Sequence, residues 1–396
     1  MSAHLKQDEP VTSNRLDGMK QGIVGQPLSR VEGLAKVTGT APYAAEYKID
    51  NVAEGVLVTA PITRGEVASI DKDSVLSMPG VLAVLDDERL TTRAAQGTAN
   101  EAPQQDPTTV CYWGQPIAVV VAETFEQARD AAKHLKVEYR VHEGAPLDPH
   151  QVAPEEQEDE TVNQGDLDAA MARAAHTVDV EIATEGHASA AMEPHAAIAE
   201  WRDDKLTVHA SLQMPNYNIA ELADSLGIEE SDIRLVSRYV GGGFGSKLGI
   251  SEETVAAAIA ARELGRPVRV VMSRQQVFQC IMRRSETTQK LRLASDEEGK
   301  LDGFAHHALV SNLPGEEFAE PVLQSSHFLY GGENRQLKLE VARIHRMTAG
   351  SVRAPGEAVG MPALEVAMDM LAEKSGVDPV ELRLRNIPDR NPEEDL

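Results

Sequence analysis

Val240-Gly241-Gly242-Gly243-Phe244-Gly245-Ser246-Lys247 is the stretch that decides the fold, because four glycines fall within five positions between two regular elements. The preceding residues, 233–239, are rich in β-branched and aromatic side chains and predict a strand. The following residues, 251–259, carry apolar side chains at helical spacing and predict a helix. The sequence therefore predicts a strand, a glycine loop at residues 240–247, and a helix.

This glycine loop is interpreted as a ligand-binding turn. Glycine reaches positive φ at low cost and lets a ligand approach with no Cβ in the way. Amides near a helix start also favour anionic groups such as phosphate. A tight connection that binds nothing is the alternative. The loop is not a Walker sequence, because Ser246 rather than glycine precedes Lys247, and no GxGxxG motif with a following ribose-binding acid fits.

Length, charge and cysteine content limit the domain number, the classes of partner and the kinds of metal site. The 396 residues exceed one ordinary domain, so we expect two. The formal net charge of −25 argues against nucleic acid or an anionic membrane as a partner. Cys111 and Cys280 are the two cysteines and lie far apart in sequence, so the chain alone predicts no disulfide framework, no Cys-based zinc site and no iron–sulfur cluster.

The N-terminal sequence carries no export signal that we recognise. Residues 1–10 have no apolar segment, and no long apolar run follows in the chain. We therefore expect a cytoplasmic chain without a membrane span, periplasmic only if it is exported together with a partner.

Pattern and composition divide the chain into four segments of an α/β (α+β) protein. They are a polar N-terminal arm at 1–30, a compact α/β domain with its own core at 31–147, an acidic linker at 148–165 and a second domain at 166–396. Strands are predicted at 55–59, 81–85, 117–122, 137–141, 178–182 and 268–272, with a two-stranded pattern over 287–310. Helices are predicted after Thr124, which forms a capping box with Gln127, and after Asp166, over 219–226, over 362–376 and from Asp378.

Two histidines and a glutamate invite a metal interpretation. They are His187, Glu193 and His195. The proline between the last two breaks any helix, and histidines eight residues apart define no common helical face. A hydrogen-bonded loop histidine is the better interpretation of His195.

Arginines mark two further positions. Arg283 and Arg284 precede a predicted strand; paired arginines are most often solvated, but here a bidentate donor could face a phosphate or a carbonyl. Residues 350–356 read Gly-Ser-Val-Arg-Ala-Pro-Gly, in which the final Pro-Gly turn would project Arg353 from a loop.

Several motifs together resemble the molybdenum-binding subunit of the xanthine dehydrogenase and aldehyde oxidase family, over nearly the whole chain. Val37-Thr-Gly-Thr-Ala-Pro-Tyr43 and Gly114-Gln-Pro-Ile-Ala-Val-Val-Val121 are similar to its a/b hammerhead domain. Met192-Glu-Pro-His195, Gly241-Gly-Gly-Phe-Gly-Ser-Lys247 and Val352-Arg-Ala-Pro-Gly356 are similar to the first segment of its molybdopterin-binding domain, in the same order. The resemblance implies a hammerhead domain at 31–147 followed by the first part of the molybdopterin-binding domain at 166–396.

The resemblance also implies a cofactor, a reaction and partners. The cofactor is molybdenum–molybdopterin, with the cytosine dinucleotide form as one alternative, and no iron–sulfur cluster or FAD belongs to this chain. The reaction is hydroxylation of an aldehyde or an aromatic N-heterocycle with oxygen from water. Electrons would pass to iron–sulfur and FAD-binding subunits.

Site residues follow from motif position. By the family pattern, Gly243 and Phe244 lie against the cofactor, and Gly242 and Gly245 form the turn around it. By the same pattern, Arg353 and Ala354 lie beside the metal, and Arg284 lies on the substrate side. Each arginine offers planar donors to developing negative charge. Counting back from the Met192 motif, the family glutamine that approaches an oxo ligand corresponds to His187.

Two departures from the family pattern carry consequences. Purine oxidisers have a glutamate just after the loop lysine, whereas this chain has Leu248, which favours an aldehyde or another less polar substrate over xanthine. The family's catalytic glutamate lies in a second half near the C-terminus, and no Gly-x-Gly-Glu resembling it occurs here. We therefore expect a truncated chain or half of a split subunit.

Two alternatives remain open from the sequence. One is a catalytically silent binding or scaffold subunit that needs a second chain. The other is an oxidoreductase whose glycine loop holds a nicotinamide or flavin dinucleotide, disfavoured because no acidic residue falls at the usual distance after a fitting fingerprint.

Overall fold

The computed structural model of the chain describes residues 22–23, 26–90, 108–389 and 392. Most of the predicted N-terminal arm, residues 1–30, and the last four residues lie outside these ranges.

The mixed α/β class expected from the sequence is confirmed. Among the described residues the helices are α1 (Gly33–Val37), α2 (Asp73–Leu76), α3 (Phe125–His134), α4 (Leu167–Arg173), α5 (Pro215–Leu226), α6 (Glu252–Leu264), α7 (Arg274–Cys280), α8 (Glu357–Ser375) and α9 (Pro379–Asn386). The strands are β1 (Ala53–Thr59), β2 (Gly65–Asp71), β3 (Val81–Leu85), β4 (Thr109–Val110), β5 (Pro116–Ala122), β6 (Lys136–Val141), β7 (Glu155–Glu156), β8 (Val162–Gln164), β9 (His176–Thr184), β10 (His187–Ala188), β11 (Ala196–Arg202), β12 (Lys205–Ala210), β13 (Ile233–Val236), β14 (Val268–Val271), β15 (Arg283–Arg284), β16 (Thr287–Ser295), β17 (Leu301–Asn312) and β18 (Asn334–Arg343).

A seven-stranded sheet joins strands from both predicted domains, in the order β13-β12-β11-β14-β1-β5-β3. Strand β1 pairs in parallel with β14, with Ala53 opposite Val268. On its other side β1 pairs antiparallel with β5. The segment at 31–147 therefore extends a sheet that the later segment continues.

Strand β5 shows how this sheet separates two cores. All seven of its residues are buried. Val119 and Val121 belong to the larger core, with side chains of β11, β12, β14 and α6. Ala118 and Val120 belong to a smaller core, which the three-stranded sheet β4-β2-β6 closes. Because successive side chains of a strand point to opposite faces, the alternation places one core on each side, and the smaller one belongs to residues 58–139 alone.

A second large sheet carries the C-terminal part of the described chain. Its order is β7-β18-β17-β16-β9, and β8 also pairs with β18. Helix α8 covers it, with Leu364 and Leu371 fully buried in the core between them. The acidic linker at 148–165 supplies β7 and β8, so this exposed stretch is ordered along the edge of the sheet.

Two predicted helix caps are present, and one predicted helix start is wrong. Thr124 and Gln127 form the predicted capping box at α3. Asp378 accepts hydrogen bonds from two amides at the start of α9, as a capping residue should. The predicted start of α8 at Pro362 is wrong: the helix begins five residues earlier, at Glu357, because the chain turns at Gly356, whose φ is +77°.

Among the described helices, none combines the length and the apolar character that crossing a membrane requires.

Candidate functional site

The glycine loop lies between β13 and α6, as the sequence predicts. It packs directly against residues 350–356, here called the arginine loop, which form the last part of the connection from β18 to α8. The backbone amide of Arg353 donates to the carbonyl oxygen of Phe244 at 2.8 Å. A Cβ on Gly245 would lie 2.0 Å from the carbonyl oxygen of Ser351. The two motifs, about 100 residues apart in sequence, thus form one site.

Unusual backbone conformations concentrate where the loops meet. Gly242 and Gly245 have φ of +102° and +97°. Phe244 and Ala354, which are not glycines, have φ of +55° and +57°. A non-glycine residue in the left-handed region costs on the order of 1–3 kcal/mol and is retained where surrounding contacts impose it, often at a ligand site. Phe244 accepts the hydrogen bond that joins the loops, and Ala354 directly follows the residue that donates it.

The space beside the loop glycines is filled by the protein itself. A Cβ on Gly243 would lie 2.1 Å from Oε1 of Gln213, and a Cβ on Gly241 would lie 2.5 Å from Cβ of Glu193. The sequence suggested that glycine at these positions leaves room for a ligand. In the structure the missing Cβ at each leaves room for another side chain of the protein, so these glycines are required by the packing of the loop.

Gln213 is a site residue that the sequence reasoning missed. Its Oε1 accepts hydrogen bonds from the amides of Gly245 at 3.0 Å and Lys247 at 3.3 Å. The backbone amide of Gln213 donates to the carbonyl oxygen of Lys247 at 2.8 Å. Gln213 lies between β12 and α5, 30 residues before the loop centre, and no local pattern marks it. The contact of this side chain with the loop interior arises only from the fold.

Glu193 and Lys247 form a buried ion pair beneath the loop. The Lys247 ammonium is fully buried and lies 3.2 Å from Oε2 of Glu193. Burial lowers the pKa of Lys247, while the Glu193 carboxylate acts in the opposite direction. The same carboxylate accepts from the amide of Gly241 at 2.6 Å and from the hydroxyl of Ser211 at 2.6 Å.

Three consecutive amides of the loop have no acceptor among the described residues. They belong to Gly242, Gly243 and Phe244. Gly243 is buried, Gly242 half-buried and Phe244 exposed. Amides without a protein acceptor remain available to bind a ligand. Successive amides in a turn of mixed handedness also form a concave anion site. The Phe244 side chain beside them is 46% exposed.

Arg284 holds the arginine loop from below. Its guanidinium donates to Glu320 at 2.5 Å, to the carbonyl oxygen of Val352 at 2.9 Å and, through a short contact, to that of Arg353. Glu320 also accepts from the amide of Gly356 at 2.7 Å. Burial raises the pKa of Glu320, and its hydrogen bonds oppose that shift. The expected role of Arg284 as a donor to substrate does not fit this geometry, because both terminal nitrogens of its buried guanidinium donate to the protein.

The neighbouring Arg283 is also buried, so the solvated interpretation of the arginine pair is wrong. It forms an ion pair with Glu286 at 2.6 Å and donates to Ser311 at 2.9 Å.

Arg353 contrasts with both buried arginines. Its side chain is exposed, and its guanidinium makes no hydrogen bond or ion pair with any residue that the structure describes. Ala354 beside it is exposed as well. The arginine loop thus exposes an uncommitted planar cation at a residue whose backbone binds the glycine loop.

The two histidines of the sequence prediction occupy different environments. His187 is exposed on β10, where its backbone pairs with Arg284 on β15. His195 is 1% exposed, and its Nε2 lies 2.9 Å from the carbonyl oxygen of Ser246. Burial lowers the pKa of His195 to about 4, so the ring is neutral at pH 7. The interpretation of His195 as a hydrogen-bonded loop histidine is confirmed.

All predicted site residues are therefore joined by direct contacts. Arg353 contacts Phe244, Arg284 contacts the arginine loop, and His187 pairs with Arg284.

Comparison with known proteins agrees with this arrangement. Residues 123–387 match the family described as molybdopterin cofactor-binding domain. Residues 38–143 match the a/b hammerhead domain of aldehyde oxidase and xanthine dehydrogenase. Because the first match alone covers more than half of the chain, it establishes the family.

Three individual proteins illustrate the match. The aldehyde oxidoreductase molybdenum-binding subunit PaoC of Escherichia coli K12 is 39% identical over 387 residues, which cover 96% of this chain and 52% of that protein. The solved structure of aldehyde oxidoreductase from Desulfovibrio gigas superposes with a TM-score of 0.80 at 27% identity, over 91% of this chain and 43% of that one. The nicotinate dehydrogenase large molybdopterin subunit of Eubacterium barkeri is 25% identical, over 93% of this chain and 90% of that protein.

The chain thus spans about half the length of the first two proteins and most of the third. Fold, motifs and matched residues agree: the chain belongs to the family of molybdenum-binding subunits of aldehyde oxidases and xanthine dehydrogenases, with a hammerhead domain and a molybdopterin cofactor-binding domain.

Proposed function

We propose that the chain is the cofactor-binding part of a molybdenum hydroxylase that transfers water-derived oxygen to an aldehyde or an aromatic N-heterocycle. The observation that carries the proposal is the junction of the two loops. There the backbone of Arg353 binds Phe244, so the exposed Arg353 residue and the unpaired amides of residues 242–244 belong to two loops in direct contact.

The donors at this junction fit a molybdopterin group. Such a cofactor carries an anionic phosphate and a polar ring system, which backbone amides and a planar guanidinium bind well. Gly242, Gly243 and Phe244 would hold it through their amides, with Gly245 shaping the turn. Ala354 and Arg353 would contact it from the arginine loop. When bound, this group supplies the two-electron redox step and the site of oxygen transfer.

The chain's own residues would position the arginine loop and polarise the substrate. The Arg353 side chain would donate to negative charge that develops on the substrate, where a preorganised donor stabilises the transition state more than the ground state. Arg284 would fix the arginine loop in place through its bonds to the loop carbonyls. His187, on the strand paired with Arg284, is proposed to line the same side.

A general base is proposed to lie outside this chain. Glu193 is the acid nearest the glycine loop by motif, but both of its oxygens accept bonds from protein donors. Glu357 stands at the start of α8 as its first-turn acid. The second half of the molybdenum subunit would bring the base, and iron–sulfur and FAD-binding subunits would receive the electrons. The match to only about half of PaoC supports a second half.

Substrate preference is inferred from one position. Leu248, after the loop lysine, offers an apolar side chain in place of a carboxylate, so we propose an aldehyde or another less polar substrate over a purine.

The test compares the chain alone with the chain co-expressed with the products of its neighbouring genes. Both preparations receive molybdenum cofactor, an artificial electron acceptor and a panel of aldehydes, N-heterocycles and xanthine. The expected result is turnover of an aldehyde or N-heterocycle by the complex only. Turnover by the isolated chain would refute the placement of the base, and a loaded complex inert toward the whole panel would refute the reaction.

A further inference from the structure

The ion pair of Glu193 and Lys247 lies beneath the glycine loop and has no part in the proposed chemistry. One Glu193 oxygen accepts from the amide of Gly241, at the start of the loop, and lies 3.2 Å from the ammonium of Lys247, at its end. We propose that Glu193 and Lys247 are positioning residues that hold the glycine loop in its cofactor-binding shape before the cofactor arrives. This inference rests on the proposed function.

A third side chain closes the network. Lys247 donates to the hydroxyl of Ser211 at 2.8 Å and to the carbonyl oxygen of Glu193 at 2.9 Å. Ser211 donates in turn to the Glu193 carboxylate at 2.6 Å. Ser211 directly follows β12 and lies two residues before Gln213, whose side chain binds the loop amides. The triangle thus connects the loop ends to the segment that fills the loop interior.

A glycine-rich loop needs such a connection. Glycine loses more conformational freedom on ordering than any other residue. Fixing both ends of the loop from within reduces the number of shapes open to the residues between them. In the structure those residues carry the unpaired amides of Gly242, Gly243 and Phe244. A site that is ordered in advance binds its ligand with less entropic cost.

A contribution to folding stability does not by itself explain why the Glu193–Lys247 ion pair is present. Replacing a buried ion pair by well-packed hydrophobic side chains of similar volume is often neutral or stabilising, whereas removal of one partner is costly. The paired replacement therefore separates the two roles. Glu193→Gln keeps an acceptor for the amide of Gly241, and Lys247→Met keeps the volume of the lysine stem. Made together, the two substitutions remove both charges.

The experiment measures two quantities on the double variant Glu193→Gln/Lys247→Met within the complex. One is the thermal unfolding midpoint, and the other is the rate at which the pterin is released, followed by its fluorescence after oxidation. We expect a midpoint within about 3 °C of wild type and a release rate at least about tenfold higher, because preorganisation is lost. The control is Glu54→Gln/Arg269→Met, which removes a part-buried ion pair of 2.9 Å between β1 and β14 and should leave the release rate unchanged.

Several outcomes decide the proposal. Pterin release at the wild-type rate in the double variant overturns it, as does equal acceleration in the control. If the double variant fails to fold, Ser211→Ala replaces it, since it opens the triangle without removing a charge; it should release the pterin about threefold faster, and wild-type release overturns the proposal. A wild-type complex that contains no molybdopterin refutes the proposed function instead.

Discussion

The glycine loop and the arginine loop are each held by one carboxylate of low exposure, but they leave different groups free. Glu193 binds the amide of Gly241 under the first loop, and Glu320 binds the amide of Gly356 under the second. Above these anchors the glycine loop keeps unpaired amides, whereas the arginine loop keeps the exposed side chain of Arg353. The difference shows how exposure distinguishes two roles of charged residues near a ligand loop. A charged side chain of low exposure holds the loop, whereas an exposed one is available to the ligand.

The largest expected loss in the free energy of unfolding follows substitution of Arg284, which anchors the arginine loop. Arg284→Met leaves the carboxylate of Glu320 buried without its cation and frees the carbonyl oxygens of the loop. Breaking one side of a buried pair costs roughly 3–5 kcal/mol in the free energy of unfolding. Chemical denaturation measures this loss. A loss below about 1 kcal/mol, the size typical of an exposed pair, would show that Arg284 does not anchor the loop.

The next effect concerns a buried acid just beyond the glycine loop. Burial raises the pKa of Glu253, at the start of α6, to about 7. A carboxyl whose pKa is raised on folding contributes most below its unfolded pKa of 4.5, and that contribution is lost as pH rises through the folded value. Over pH 4.5 to 7 the stability of wild type relative to Glu253→Gln should fall by about 3 kcal/mol. Denaturation of both proteins across that range measures the difference, and a difference that stays constant with pH contradicts it.

A smaller effect tests the contact between the loops. Gly245→Ala places a Cβ 2.0 Å from the carbonyl oxygen of Ser351, at a φ of +97°. Gly227→Ala is the matched control, since its φ of +65° is also positive but nothing lies within 4 Å of its Cβ. The control should lose about 1 kcal/mol in the free energy of unfolding and Gly245→Ala about 1–3 kcal/mol more. An equal loss in the free energy of unfolding for both variants would contradict the close contact between Gly245 and Ser351.

The smallest effect on stability is expected at Arg353. Arg353→Lys should change the free energy of unfolding by less than about 0.5 kcal/mol, because its side chain is exposed and unpaired among the described residues. Turnover should nevertheless fall roughly 10- to 100-fold, since one point charge replaces a planar donor. Steady-state kinetics and thermal unfolding on the same preparation separate the two. A loss of stability matching the loss of turnover would assign Arg353 to the fold.

The sequence predicted those parts of this arrangement that have a local signature. The strand before the glycine loop, the capping box of Thr124 and the loop itself depend on residues within a few positions of one another. Gln213 and Glu320 could not be predicted, because each acts on a segment more than 30 residues away and stands in no recognisable pattern. Arg284 was predicted from motif position, but its burial, which commits its side chain to the protein, depends on strands that pair only in the folded chain.

The most direct test of the account is the cofactor content of the purified complex. Molybdenum is measured by elemental analysis and the pterin by its fluorescence after release and oxidation, both per copy of this chain. We expect molybdenum and pterin in equal amounts, close to one per chain, and hydrolysis of the pterin product would reveal any cytosine nucleotide. A pure, folded complex that lacks both, or that holds a nicotinamide or flavin dinucleotide at the glycine loop instead, would contradict it.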